Sequence, residues 1–201
     1  MAARIFFTLV LLAGGAVSAQ RDSLVIADFD AGKAETKSGL SLWLFCDEQY
    51  GGTSQARASL IHPGAQGSTG ALRISLRVTD DFPTPFAGAW AMVGPEGLAT
   101  DLSAYRGVRF YARSKDAAAF SAGIVTFPGQ LKRYMAPFGA GEEWTLVDLT
   151  FEKFQLAVPP GARAADASPL DAKDVTSIGV AVAPKLRGQF VLDIDRIELY
   201  R

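Results

Sequence analysis

Residues 71–78 read ALRISLRV, and residues 107–113 read GVRFYAR. In the first stretch every second residue from Leu72 to Val78 is apolar, and two arginines and a serine stand between them. In the second stretch Val108, Phe110 and Ala112 alternate with Arg109, Tyr111 and Arg113. A period of two places apolar side chains on one face of a strand and polar side chains on the other. Both stretches therefore predict half-buried β-strands.

The rest of the chain is similar: short apolar stretches separated by clusters of Gly, Pro and Asp, which favour turns. The further strand candidates are Leu24–Phe29, Phe120–Phe127, Trp144–Leu149, Ser177–Ala183 and Gln189–Tyr200. No segment carries a sustained apolar stripe at helical spacing. The pattern therefore predicts an all-β fold, in which two antiparallel sheets pack as a two-sheet β-sandwich.

The amino end has the features of an export signal. Residues 5–17 form an unbroken apolar run, Arg4 precedes it, and Val17-Ser18-Ala19 supplies small residues for cleavage. The run is shorter than the roughly 20 residues that a membrane span needs. We therefore expect a signal peptide over 1–19 and one domain over 20–201, secreted or periplasmic and without a membrane span after cleavage.

Composition argues against several classes of function. The formal net charge is −1, so no basic field indicates binding to nucleic acid. His62 is the only histidine, and no nucleophile motif of the G-x-S-x-G type is present, so we expect a protein that is not an enzyme. Cys46 is the only cysteine and lies in an apolar run, where we expect a buried thiol rather than a disulfide.

Several motifs resemble, in chain order, elements of the CIA30 domain and of the family 11 carbohydrate-binding modules (CBM11). They are YGGTS at 50–54, DLSAYRGVRF at 101–110, EWTLVDLTFEKF at 143–154, SIGV at 177–180 and LDIDRI at 192–197. The resemblance implies a galactose-binding-like jelly roll. The chain departs from it at 113–116, which read RSKD where many relatives have RGDG, and at Thr150, where a proline is usual.

The resemblance also implies a non-catalytic binding module, and it leaves two alternatives open. The first is a carbohydrate-binding module similar to CBM11, although such modules usually accompany a glycosidase and we expect no catalytic domain in this sequence. The second is a protein-interaction or assembly module of the CIA30 type, whose eukaryotic members assist the assembly of respiratory complex I. The expected partner is accordingly a carbohydrate or a protein client.

In the resembled modules, the outward residues of one concave sheet hold the ligand. The polar face of the strand at 107–113 would supply Arg109, Tyr111 and Arg113, and we expect Trp90 and Tyr134 on neighbouring strands. Flat aromatic rings suit the apolar faces of a sugar, and arginines can bond its hydroxyl groups. The alternative is that Trp90 belongs to the core and the arginines form a solvated sheet face.

A structural cation is a further expectation. Jelly-roll binding modules often hold Ca²⁺ where the first and last strands meet, and this cation prefers oxygen ligands. Asp28 in the first strand and Asp195 in the last are the candidate metal ligands. The alternative is that each is a strand-end aspartate that accepts hydrogen bonds from backbone N–H groups.

Overall fold

A computed structural model describes residues 23–37, 39, 40, 42–116, 119–127, 129–157 and 168–201. The predicted signal peptide lies outside these residues. The described part of the chain forms two antiparallel six-stranded sheets with a few short 3-10 turns, which confirms the predicted all-β sandwich. Among the described residues, no helix has the length and apolar character needed to span a membrane.

The strands are β1 (Ser23–Ala27), β2 (Trp43–Cys46), β3 (Gln55–Ile61), β4 (Ala71–Val78), β5 (Ala87–Met92), β6 (Gly107–Arg113), β7 (Ala119–Thr126), β8 (Lys132–Gly139), β9 (Thr145–Thr150), β10 (Gln155–Leu156), β11 (Val175–Val182) and β12 (Gly188–Tyr200). Short 3-10 turns cover Asp47–Tyr50, Pro95–Gly97, Phe151–Lys153 and Ala172–Asp174. The strands predicted from the alternating stretches at 71–78 and 107–113 are confirmed as β4 and β6.

The first sheet has the order β3-β4-β12-β6-β9, and β1 also pairs with β12. Its longest strand, β12, pairs with β6 along one edge; along the other edge it pairs first with β4 and then, near its carboxyl end, with β1. The pairing of β12 with β1 and β6 is interrupted by a bulge near Arg196, whose φ is 50°. The second sheet has the order β10-β8-β7-β11-β5-β2.

The main core lies between the two sheets. It takes the apolar side of each alternating strand, for example Leu72 and Ile74 from β4 and Phe110 from β6, all at most 2% exposed. On the other side of the sandwich, Ile124 and Ile178 supply the inward face of β7 and β11. The polar residues between these positions consequently point away from the core, and they form the outer faces that could meet a ligand.

The YGGTS motif has a structural role beside the second sheet. The Asp47 carboxylate is fully buried and accepts hydrogen bonds from the backbone N–H of Ser54 at 2.9 Å and of Phe86 at 3.1 Å. A Cβ on Gly52 would lie 2.2 Å from Asp47 Oδ1, so only glycine leaves room for this carboxylate. The motif therefore joins the end of β2 to the segment that precedes β5.

Candidate functional site

The outer face of the first sheet carries a cleft of about 670 Å³ between β1, β6, β12 and the turn at 65–68. We call it the β1–β12 cleft. Its charged and aromatic lining residues are Asp28, Asp30, Lys37, Arg109, Tyr111, Asp195, Arg196 and Glu198. Four of the seven residues that the sequence singled out lie here: Arg109, Tyr111, Asp28 and Asp195.

Ion pairs occupy most of the charges in the β1–β12 cleft. Glu198 is 6% exposed and pairs with both Arg109 and Arg196. Lys37 pairs with Asp28 in the same way. The Arg109 guanidinium also lies over the ring of Tyr200, 5.4 Å from its centroid. Because these groups already satisfy one another, the cleft offers few free donors or acceptors to a sugar.

One carboxylate in the β1–β12 cleft is only half satisfied. Asp195 is fully buried, and its Oδ2 accepts a hydrogen bond from the backbone N–H of Ala65 at 2.8 Å. Its Oδ1 has no hydrogen-bond partner among the described residues. Burial raises the pKa of Asp195 above 3.8, because an ionised carboxylate loses its hydration there. A buried oxygen of this kind favours a bound proton, a cation or a ligand hydroxyl.

Asp30, which sequence analysis did not single out, holds the turn beside Asp195. Its Oδ1 accepts hydrogen bonds from Ser68 Oγ and Thr69 N at 2.8 Å and from Gly70 N at 3.2 Å. These bonds favour the ionised form and lower the pKa of Asp30. In the part of the chain that the structure describes, no group of three or more His, Cys, Asp or Glu side chains is close enough together to hold a metal ion.

Arg113 does not line the β1–β12 cleft. It lies on the same outer face, beside a smaller pocket of about 250 Å³, and donates a 2.9 Å hydrogen bond from Nε to Asp193. Its guanidinium also covers the ring of Trp144 at 4.5 Å from the centroid. The predicted set on β6 thus shares one sheet face but is divided between two depressions.

Trp90 and Tyr134 are not neighbours of these residues, so the expectation of one shared surface is corrected. They belong to β5 and β8 of the second sheet. Tyr134 is 2% exposed and points into the main core, and its hydroxyl lies 3.3 Å from Ser168 Oγ and from the carbonyl of Pro169. Its neighbours along the strand point outward instead, because the side-chain direction alternates.

Trp90 lies on the outer face of the second sheet and helps to form what we call the aromatic surface: Trp43, Tyr50, Phe45, Phe86, Trp90 and Arg133. The ring of Trp90 stacks on Phe45 at a centroid distance of 5.1 Å, and Phe45 stacks on Phe86 at 5.7 Å. Trp43, directly opposite Trp90 in the register, is 51% exposed. Because cross-strand partners share a face, Trp43 extends the row of rings into solvent.

Trp90 lies flat because the strands beneath it carry glycines. A Cβ on Gly123 of β7 would be 2.3 Å from Trp90 Cη2, and one on Gly179 of β11 would be 2.3 Å from Trp90 Cε3. The ring therefore rests directly on the backbone of the two adjoining strands. Trp90 is 2% exposed and Phe45 6%, so these two rings form the floor of the aromatic surface, while Trp43 and Tyr50 face solvent.

Arg133 is the cation of the aromatic surface. Its guanidinium lies 5.9 Å from the centroid of Trp90 and 6.0 Å from that of Phe45. Its Nε is buried and has no hydrogen-bond partner within the described chain, and none of the ion pairs found there involves Arg133. The buried Nε is not within reach of a ligand, but the two Nη groups, which have no hydrogen-bond acceptor among the described residues and are not buried, can bond a ligand oxygen. Sequence reasoning missed Trp43, Phe45 and Arg133.

The sequence profile of the family described as Complex I intermediate-associated protein 30 (CIA30) matches residues 28–194. The chain belongs to the CIA30 family. No curated protein sequence matches this CIA30-family chain. Its fold is that of solved carbohydrate-binding modules, as the resemblance implied.

One of these is the family 11 module of a cellulosomal cellulase of Clostridium thermocellum, at 18% identity with a TM-score of 0.65 over 89% of this chain and 94% of that module. A second structure of the family 11 module from that organism, in complex with a β-1,3-1,4-mixed-linked tetrasaccharide, gives 17% identity and a TM-score of 0.63 over 89% and 95% of the two chains. The family 30 module of a C. thermocellum cellulase gives 12% identity and a TM-score of 0.60 over 88% of this chain and 96% of that module. At these identities the likeness shows the fold alone.

Proposed function

We propose that this CIA30-family chain is an exported, non-catalytic module that binds carbohydrate at the aromatic surface. The observation that carries the proposal is the exposed ring of Trp43 beside the stacked rings of Phe45 and Trp90, with Arg133 above them. Export rests on the apolar run at residues 5–17. The similar folds of carbohydrate-binding modules support a binding role without catalysis.

The chemistry of a sugar fits this surface. Each pyranose ring has apolar C–H faces, which pack against flat aromatic rings, and a rim of hydroxyl groups, which accept bonds from a guanidinium. The exposed ring of Trp43, backed by the buried rings of Phe45 and Trp90, supplies the apolar contact, and the Nη groups of Arg133 supply donors with no protein acceptor among the described residues. The β1–β12 cleft lacks such a row, and its arginines are already paired with Glu198.

The first test is affinity gel electrophoresis of the protein without residues 1–19 against a panel of soluble polysaccharides, beginning with mixed-linked β-1,3-1,4-glucan. Trp43→Ala removes an exposed side chain, so the variant should fold normally. Its affinity for the polysaccharide should be roughly tenfold or more lower, and its retardation in the gel should be lost. Tyr111→Ala, on the opposite sheet, is the matched control and should bind as the wild type does. No release of reducing ends is expected from any substrate in the panel.

The second candidate function is a protein-interaction module, which the CIA30 profile favours. Trp and Arg are also the usual anchors of protein interfaces, so the same surface could hold a protein client. The two functions predict different results in the gel experiment and in a search for protein complexes. Retention on no polysaccharide, together with a defined complex that Trp43→Ala dissociates, would favour the protein client.

We further propose a structural Ca²⁺ in the β1–β12 cleft, with Asp28 and Asp195 as its carboxylate ligands. The buried Oδ1 of Asp195 supports this, because it has no hydrogen-bond partner in the described chain and Ca²⁺ binds such oxygens. The cation would have to displace Lys37 from Asp28, and backbone carbonyls or water would complete its shell. When bound, the cation would tie the first strand to the last.

Melting curves in CaCl₂ and in EDTA test the cation. Calcium should raise the Tm of the wild type and leave that of Asp195→Asn unchanged. Without the cation, burial favours the protonated form of Asp195, so its contribution to stability falls as the pH rises from 3.8 through its folded pKa. Equal Tm values in CaCl₂ and EDTA would contradict a bound calcium ion.

A further inference from the structure

The pocket beside Arg113 is a second depression on the outer face of the first sheet, and it differs in charge from the β1–β12 cleft. Its lining includes three cations, Arg73, Arg113 and Lys115, against two carboxylates, Asp193 and Glu142. With a volume of about 250 Å³, it is smaller than the roughly 300–1,000 Å³ of sites for drug-sized ligands. It suits one small group rather than a chain of sugars.

The two arginines are fixed by one buried carboxylate. Asp193 of β12 is the register partner of Arg73 on β4 and of Arg113 on β6, so the three side chains form a row across three strands. Arg73 donates to Asp193 from Nε at 2.7 Å and from Nη2 at 2.9 Å, whereas Arg113 donates from Nε alone at 2.9 Å. One negative charge therefore serves two positive ones.

This arrangement leaves hydrogen-bond donors unused. A guanidinium has five N–H groups, and among the described residues Asp193 takes three bonds from the two arginines. Nη1 of Arg73 and both Nη atoms of Arg113 consequently have no protein acceptor in that part of the chain. Lys115, which is exposed, likewise has no carboxylate partner there.

The wall of the pocket is preorganised. Ser114 N donates to the carbonyl of Gly141 at 2.6 Å, and Asp116 Oδ2 accepts from Val191 N at 2.6 Å, so the segment that carries Lys115 is bonded on both sides. Trp144 stacks on Arg113 and fixes its plane. A ligand that binds here does not have to order these groups, which reduces the free-energy cost of binding.

We infer that this pocket binds the carboxylate of a small ligand such as a sugar acid, independently of the aromatic surface. A carboxylate is planar and has two acceptor oxygens, which match the paired N–H groups of a guanidinium. It would also supply the negative charge that the row Arg73–Asp193–Arg113 lacks. The pocket volume accommodates a single acidic sugar unit.

The test is an NMR titration of the protein with D-glucuronate, with D-glucose as the neutral counterpart. We expect D-glucuronate to shift the side-chain N–H signals of Arg73 and Arg113, and D-glucose to leave them unchanged. Added NaCl should weaken the effect, because salt screens exposed charges. Equal shifts with both sugars, or no shift with either, would overturn the inference.

Three variants locate the site. Arg73→Gln should weaken D-glucuronate binding by about tenfold, since a hydrogen bond to a charged group is lost. Lys115→Ala tests the same pocket without touching Asp193, so its weaker binding cannot be ascribed to misfolding. Arg77→Gln is the matched control, because Arg77 is exposed on the same face of β4 and lines neither depression. An equal loss of D-glucuronate affinity in Arg77→Gln would indicate attraction by the general positive charge of the sheet face and would overturn the proposed site.

The two binding proposals fail separately. Trp43→Ala should leave D-glucuronate binding intact, and Lys115→Ala should leave binding to neutral polysaccharide intact. Loss of both ligands in either variant would contradict an independent pocket.

Discussion

Replacing Gly123 with alanine tests whether Trp90 rests on the backbone of the second sheet. The added Cβ would stand 2.3 Å from Trp90 Cη2, 2.7 Å from Cζ3 and 3.1 Å from Met135 Sδ. Unstrained carbon atoms are about 3.5–4.0 Å apart, so the indole ring has to retreat by about 1 Å or more. The stack of Phe45 on Trp90, and Arg133 above both, would move with it.

Overpacking of this kind costs about 1–3 kcal/mol. Replacing glycine with alanine also stabilises the folded state by about 0.4–1 kcal/mol, because it reduces the conformational entropy of the unfolded chain. The net destabilisation should be about 1–2 kcal/mol, which lowers the Tm of a domain of this size by roughly 2–8 °C. Urea unfolding followed by circular dichroism and by tryptophan fluorescence measures the change.

Gly139→Ala is the matched control, because Gly139 lies on β8 of the same sheet and an added Cβ would meet nothing within 4 Å. Its stability should equal or slightly exceed that of the wild type. In a Trp90→Phe background, Gly123→Ala should cost less, since the smaller ring leaves room. Equal stability of Gly123→Ala and Gly139→Ala would refute the packing described here.

Asp47→Ala should lower the free energy of unfolding by about 2–4 kcal/mol, because it leaves the buried N–H of Ser54 and the partly buried N–H of Phe86 unpaired; urea unfolding measures this, and a loss below 1 kcal/mol would contradict it. In a spectrophotometric titration, Tyr200 should ionise with a pKa of about 12, since burial and its bond to Asp148 disfavour the phenolate; this phase should vanish in Tyr200→Phe. Because its hydrogen bonds lower the pKa of Asp30, they stabilise the fold above 3.8 and less so as the pH falls through the folded pKa; Asp30→Asn should flatten this acid dependence of the Tm, and an unchanged acid limb would argue against it.

Strands were predicted correctly from the sequence where one face of the strand is buried and the other is exposed to solvent. The strands β4 and β6 alternate in burial along most of their length, and that alternation is visible in the residue types. The strand β5 reads AGAWAM and is buried on both faces, because the aromatic surface covers its outer side. A strand buried on both faces has no polar alternation, so its presence could only be suggested by Trp90.

The candidate site was predicted in part. The meeting of Asp28 and Asp195 in one cleft follows from the first strand pairing with the last, as expected from the resemblance. The sheet to which Trp90 and Tyr134 belong depends on strand order, which is a long-range property that residue patterns do not reveal. A shift of one residue along β8 also changes the face, so the outward residue is Arg133 rather than Tyr134.

The most direct measurement is isothermal titration calorimetry of the protein without residues 1–19 with a β-1,3-1,4-mixed-linked tetrasaccharide, in parallel for the wild type, Trp43→Ala and Tyr111→Ala. Binding at the aromatic surface predicts heat for the wild type and Tyr111→Ala and a weakening of roughly tenfold or more for Trp43→Ala. Full binding by Trp43→Ala with loss in Tyr111→Ala would transfer the sugar site to the first sheet and contradict the proposal.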